Sequence, residues 1–138
     1  MQTFLPYESF TESAKCLDYR RLGKQRVEAY QILRALTGES KGWTNHPATK
    51  MWKGFEYALA EYGFDICGEW RQRGYKDTLM PKFYAFFADA PDYTYPLWLG
   101  NEQFHASHRS NLLRKNKEFY SKYGWTEPDN LPYVWPVK

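Results

Sequence analysis

Apolar residues recur along this chain at helical intervals. After Pro6, which blocks helix where it stands, Leu22, Ala29, Leu33 and Leu36 follow one another at seven, four and three positions. Asp18, Arg21, Gln25 and Glu28 recur at three, four and three on a different side. An apolar stripe set against an ordered polar stripe marks an amphipathic helix. The pattern predicts a first helix from about Thr11 to Thr37, opened by Thr11-Glu12-Ser13 and stopped by Gly38, with residues 1–10 as a short extended arm before it. Gly23 costs such a helix about 1 kcal/mol relative to Ala, a cost that suits close approach of backbone or ligand.

A second helix is predicted to open at His46-Pro47, since proline suits the first helical turn. Its core stripe is Met51, Phe55, Leu59, Tyr62, Ile66 and Trp70, and it ends near Gly74. Residues 75–101 hold Pro81, Pro91 and Pro96 among many aromatics and read as short turns and packed loop. A third helix is expected from about Asn101 to Tyr123, stopped by Gly124, followed by an extended tail, Leu131–Pro136, packed back on the core. The expected fold class is all-α: one compact domain over residues 1–138, with about three main helices and a long aromatic and proline-rich loop region.

The length suits a single core, and a 20% aromatic content argues against disorder. Net charge is only +3, so any affinity for nucleic acid must reside in a local patch. Cys16 and Cys67 form no CxxC pair and read as buried free thiols of a reducing compartment. No signal peptide is visible and no window approaches the ~18 apolar residues of a membrane span. The expectation is a soluble, cytoplasmic monomer that does not engage membranes.

The densest chemistry lies in the first helix. Lys15, Arg20, Arg21, Lys24 and Arg26 surround Glu28. Such a carboxylate is either a surface partner of Lys24 or an acid, base or electrostatic stabiliser beside a phosphate backbone. Arg109, Arg114, Lys115 and Lys117 form a second basic cluster on the third helix. Two basic helices with aromatics between them suit phosphate contacts combined with stacking on an unstacked base. His46, His105 and His108 could make a zinc site, but no HExxH pattern supports one; capping, core hydrogen bonding or phosphate contact are the alternatives. No GxSxG, P-loop or dinucleotide-type glycine turn is present. The Met1 α-amine is a candidate nucleophile. Gln2 is bulky, so Met1 is expected to be retained, and an α-amine with reference pKa near ~8 is neutral more often than a lysine near ~10.4.

At these residues the chain resembles the pyrimidine dimer DNA glycosylases, the endonuclease V-type family of phages and bacteria. Leu17-Asp18, Leu22 and Glu28-Ala29 are similar to that family's first helix, and Lys41-Gly42-Trp43-Thr44-Asn45-His46-Pro47 to its loop before the second. His108, Leu112-Leu113-Arg114-Lys115 and Phe119-Tyr120 resemble its C-terminal helix. The chain departs from the phage members in having Gln2 after Met1, a longer segment before the first helix, and residues 75–101. The resemblance implies an all-α fold in which the terminal amine attacks the sugar C1′ and an imine leads to strand cleavage. It implies catalytic roles for Met1 and Glu28. Arg21, Lys24, Arg26, Arg109, Arg114 and Lys115 would hold phosphates of double-stranded DNA, with Gln25, His46 and His108 lining the site. No metal or organic cofactor is required. The rivals are a non-catalytic DNA-binding protein, a metal-dependent nuclease built on His46, His105 and His108, and a protein-interaction module.

Overall fold

Residues 1–137 are described by a computed structural model. The helices are α1 (Phe10–Cys16), α2 (Tyr19–Leu36), α3 (Pro47–Lys50), α4 (Glu56–Gln72), α5 (Met80–Phe87), α6 (Glu102–Lys115) and α7 (Lys117–Tyr120), with a 3-10 turn at Ser121–Tyr123. Among the described residues there is no strand. The all-α expectation holds, whereas three main helices understates the count: each predicted long helix is divided.

The first divides at Leu17, which is extended (φ −72°, ψ 140°) and fully buried. Ser9 caps α1 by accepting the Glu12 N–H at 3.1 Å, and α2 restarts after Asp18. Tyr120 holds that break: its hydroxyl accepts the Asp18 N–H at 3.0 Å and donates to the Asp18 carboxylate. Burial alone would raise the pKa of Asp18; the Tyr120 and Arg21 hydrogen bonds outweigh it and hold the carboxyl below its usual value.

The second predicted helix divides around Gly54, whose φ of +88° is a left-handed conformation that ends a helix. His46 begins α3 as its N-cap, Nδ1 accepting the Ala48 N–H at 3.0 Å. The third divides at Asn116, whose side chain caps α7 by accepting the Phe119 N–H. The region 75–101 is not all loop, since it contains α5.

The centre of the molecule is α2 packed on α4, with α1 and α5 also against α4. Leu22, Ala29, Ile32 and Leu33 of α2 and Leu59, Tyr62, Ile66 and Cys67 of α4 are buried. The α2–α4 approach explains Gly23: a Cβ there would stand 2.8 Å from the Trp70 ring. Trp52, Phe83, Phe104 and Tyr120 complete the core as fully buried aromatics. Both cysteines are free and buried, and burial pushes the Cys16 thiol up to about 12. No described helix is long and apolar enough to cross a membrane.

Helix α6 lacks a clean apolar stripe because its polar side chains are buried and occupied. Ser110 Oγ accepts the Leu131 N–H at 3.0 Å, Ser107 Oγ accepts the Val134 N–H at 3.2 Å, and Asn111 Nδ2 donates to the Leu131 carbonyl at 3.0 Å. These bonds strap the tail down and bring Tyr133 and Trp135 onto the core, as the sequence leads one to expect.

Candidate active site and its cationic rim

The N-terminal arm is extended and buried from Gln2 to Pro6, yet it pairs with no strand. A buried backbone must have its N–H and C=O groups satisfied; here side chains do it. Glu28 Oε2 accepts the Gln2 N–H at 3.1 Å, Gln25 Oε1 the Phe4 N–H at 2.8 Å, and His108 Nδ1 the Leu5 N–H at 2.9 Å. Gln25 Nε2 donates to Gln2 O at 2.7 Å, Tyr62 Oη to Phe4 O at 2.8 Å and Arg109 Nη1 to Pro6 O at 2.7 Å. His105 Nδ1 lies 2.7 Å from Leu5 O, and the Trp52 indole donates to Thr3 Oγ1 at 3.0 Å.

This cradle delivers the α-amine of Met1 to 3.8 Å from Glu28 Oε2. Glu28 is only 9% exposed, which excludes a solvated surface glutamate; among the described residues it partners Met1 and Gln2 rather than Lys24. A cavity of about 320 Å³ opens over the pair, lined by Met1, Gln2, Phe4, Gln25, Glu28 and Tyr133 together with the cations Arg20, Arg21, Lys24 and Lys115. Gln2 Nε2 is buried with no partner among the described residues.

The rim carries uncompensated positive charge. Arg21 pairs with Asp18 at 3.2 Å, but Arg20, Lys24, Arg114 and Lys115 have no carboxylate within 4.0 Å among the described residues. Lys115 registers the crowding: burial, then the charges of Arg21, Arg114 and Lys24, hold its pKa below the usual lysine value. Cations that repel one another in the free protein are relieved by an anion.

The expected site residues therefore divide. Met1, Arg21, Lys24, Gln25, Glu28 and Lys115 converge on the cavity. Arg114 stands beside it, near Lys115 and Tyr133, with its guanidinium donating to Asn111. His46 does not line it but feels its charges: burial and the Met1 amine lower its pKa while Glu28 raises it. Arg26 turns away, bonding Asp77 at 2.5 Å and lying over the Trp70 ring. Arg109 is engaged by Glu102 and Glu127. His108 is fully buried beneath the arm, packed against Phe4 and Phe104, and burial holds its pKa down at about 3. The three histidines do not converge. His105 spends its second ring nitrogen on the Gly100 N–H, and among the described residues no three His, Cys, Asp or Glu side chains gather as a metal site requires. Sequence reasoning gave no role to Gln2, Phe4 or Tyr133. Gln2 was legible as the neighbour of the amine, whereas nothing periodic links Tyr133 to α2.

A family model described as pyrimidine dimer DNA glycosylase matches residues 1–82, more than half of the chain, and covers the arm and α1 to α4. The match ends within α5, so α6 and the tail lie beyond it. No curated protein and no solved structure matches the chain.

Proposed function

Because the chain belongs to the pyrimidine dimer DNA glycosylase family, we propose that it excises a damaged or modified pyrimidine from double-stranded DNA, with the Met1 amine as nucleophile and Glu28 as the proton-transfer group. The observation that carries this reading is the 3.8 Å approach of Met1 N to Glu28 Oε2 beneath a cationic rim.

The neutral amine attacks C1′ of a nucleotide drawn out of the stack, and the C1′–base bond breaks with its electron pair leaving on the base. Glu28 takes the proton that the amine sheds. It returns that proton to O4′ as the sugar ring opens and the C1′=N imine forms. Loss of a C2′ proton then expels the 3′ phosphate, and water releases the amine from the imine. One carboxylate serves both transfers because the Gln2 N–H fixes it beside the nucleophile. The cavity has room for a nucleoside. Arg21, Lys24 and Lys115, with Arg20, hold flanking phosphates, and Arg114 adds to their field. Gln25, His108 and Arg109 act from below by holding the arm, and Arg26 by fixing α2 to the segment after α4. Nothing in this sequence of steps calls on a metal or organic cofactor.

The test is borohydride trapping on duplexes carrying a UV dimer, an abasic site or a modified pyrimidine. A covalent adduct that maps to Met1, weakens in Glu28→Gln and disappears when the amine is acetylated is the expected result. DNA binding with neither adduct nor nick on any duplex would replace this reading with a non-catalytic DNA-binding protein.

A further inference from the structure

One lining residue of the cavity, Tyr133, has no part in the proposed chemistry. From Tyr133, which lines it, an unbroken line of rings leads outward: Tyr133 to Trp135 at 5.5 Å between centroids, Trp135 to His46 at 5.8 Å, and His46 to Trp43 at 5.9 Å. The line ends on the loop between α2 and α3, where Lys41 to Asn45 are all exposed. Trp43 is 50% exposed, and His46 is its one aromatic partner among the described residues.

Trp43 also adopts φ +68°, the one positive φ outside glycine among the described residues. A bulky side chain in the left-handed region is strained, and such strain collects at ligand-contacting positions. Exposing an indole on a strained backbone brings little return within this chain. Flexible glycine stands next to it at Gly42, so a relaxed turn was available at the neighbouring position.

The occupant follows from the cations that line the same cavity. Arg20, Arg21, Lys24 and Lys115 accept phosphates, and rings accept the π-faces of bases. A ligand that carries both, spaced by a sugar, is a nucleic-acid strand. We propose that Tyr133, Trp135, His46 and Trp43 form a stacking track for unpaired bases of DNA, with Trp43 as the outermost ring entering the stack beside the extruded nucleotide. The track deepens the glycosylase reading and rests on it for the identity of the strand. It orients the substrate, with the sugar–phosphate chain along α2 and the bases toward the tail and the 41–46 loop.

The test compares two labelled single strands of equal length and charge, oligothymidylate and an oligomer of tetrahydrofuran abasic units, by fluorescence anisotropy. The readout is the ratio of their dissociation constants, which cancels phosphate affinity. The wild type should favour thymidylate. In Trp43→Gly, which removes the ring and suits the positive φ, the ratio should fall about 5- to 150-fold, the range base–aromatic stacking supplies. Trp43→Tyr should restore most of it. An unchanged ratio in Trp43→Gly, or equal loss for both strands, overturns the track. Borohydride trapping on an abasic duplex is scored separately: no adduct with a Trp43-dependent ratio sinks the glycosylase chemistry alone, and an adduct without that ratio sinks the track alone.

Discussion

Gln25 and Glu28, one turn apart on α2, grip the backbone of Gln2 from both sides. Gln25 Nε2 donates to the Gln2 carbonyl at 2.7 Å and Glu28 Oε2 accepts the Gln2 N–H at 3.1 Å. The two side chains thus fix the residue that follows the amine, and their roles separate on substitution.

Glu28→Gln keeps an oxygen to accept the Gln2 N–H but cannot shuttle a proton. It should fold with a melting temperature near the wild type and lose about 10²- to 10⁴-fold in single-turnover nicking, the usual contribution of a positioned acid or base. Gln25→Ala leaves the Phe4 N–H and Gln2 O buried and unsatisfied. It should cost on the order of 2–4 kcal/mol, read by urea denaturation, and diminish borohydride trapping because the amine is no longer held.

The arginines and lysines divide by what they touch. Lys24→Ala and Lys115→Ala should each reduce the slope of log Kd against log salt by about 1, the signature of one lost phosphate contact. Arg109→Ala should leave the slope alone. It strands Glu127 and the Pro6 carbonyl instead, and should lower the urea midpoint by the equivalent of about 3–5 kcal/mol.

Acid should loosen the arm well above the range in which ordinary carboxylates titrate. His108 must stay neutral to accept the Leu5 N–H, and burial holds its pKa at about 3, against ~6.5 in the unfolded chain. Between those values the unfolded chain binds the extra proton, so stability is full above ~6.5 and falls as pH drops through that window, by up to ~1.4 kcal/mol per unit. His105 and His46, also lowered, act in the same sense. Asp65 opposes them: burial and Glu61 raise it to about 6, so its neutral form steadies the fold as pH falls from 6 toward 4. Urea midpoints from pH 7.5 to 4.5 in an Asp65→Asn background should decline without that offset. A folded-state His108 ring resonance that titrates near 6 would contradict the assignment.

Gly23→Ala tests whether propensity or packing governs α2. Propensity alone promises a gain of about 1 kcal/mol. The added methyl would meet the Trp70 ring at 2.8 Å. That ring is boxed by Tyr19, Tyr75 and Arg26 and has little room to retreat. Overpacking of this kind costs about 1–3 kcal/mol, so a lower melting temperature is expected.

The helical class, the α2 stripe and the grouping of Glu28 with Arg21, Lys24 and Gln25 were legible because they depend on spacing within one element. The breaks at Leu17 and Gly54 were not. The first is held through Asp18 by a tyrosine 102 positions away, and Gly54 sits within a stripe whose apolar periodicity runs through it unbroken. The basic residues of α6 could not be told apart for a related reason. Composition records charge but not its partner, so Arg109, clamped by Glu102 and Glu127, read the same as Lys115, which has no carboxylate partner among the described residues. His108 read as a site lining residue and proved to be a buried acceptor for the arm, a role that only the path of residues 2–6 defines.

That path has a kinetic consequence. The arm is bound by residues of α2, α4 and α6, with separations reaching 103 positions, so it cannot dock until nearly the whole chain is in place. Contacts of such long range form late because loop closure must precede them. The residues of the arm are then the last to be seated. A half-folded chain carries its amine on a free tether, away from Glu28, and the two groups meet only in the finished molecule.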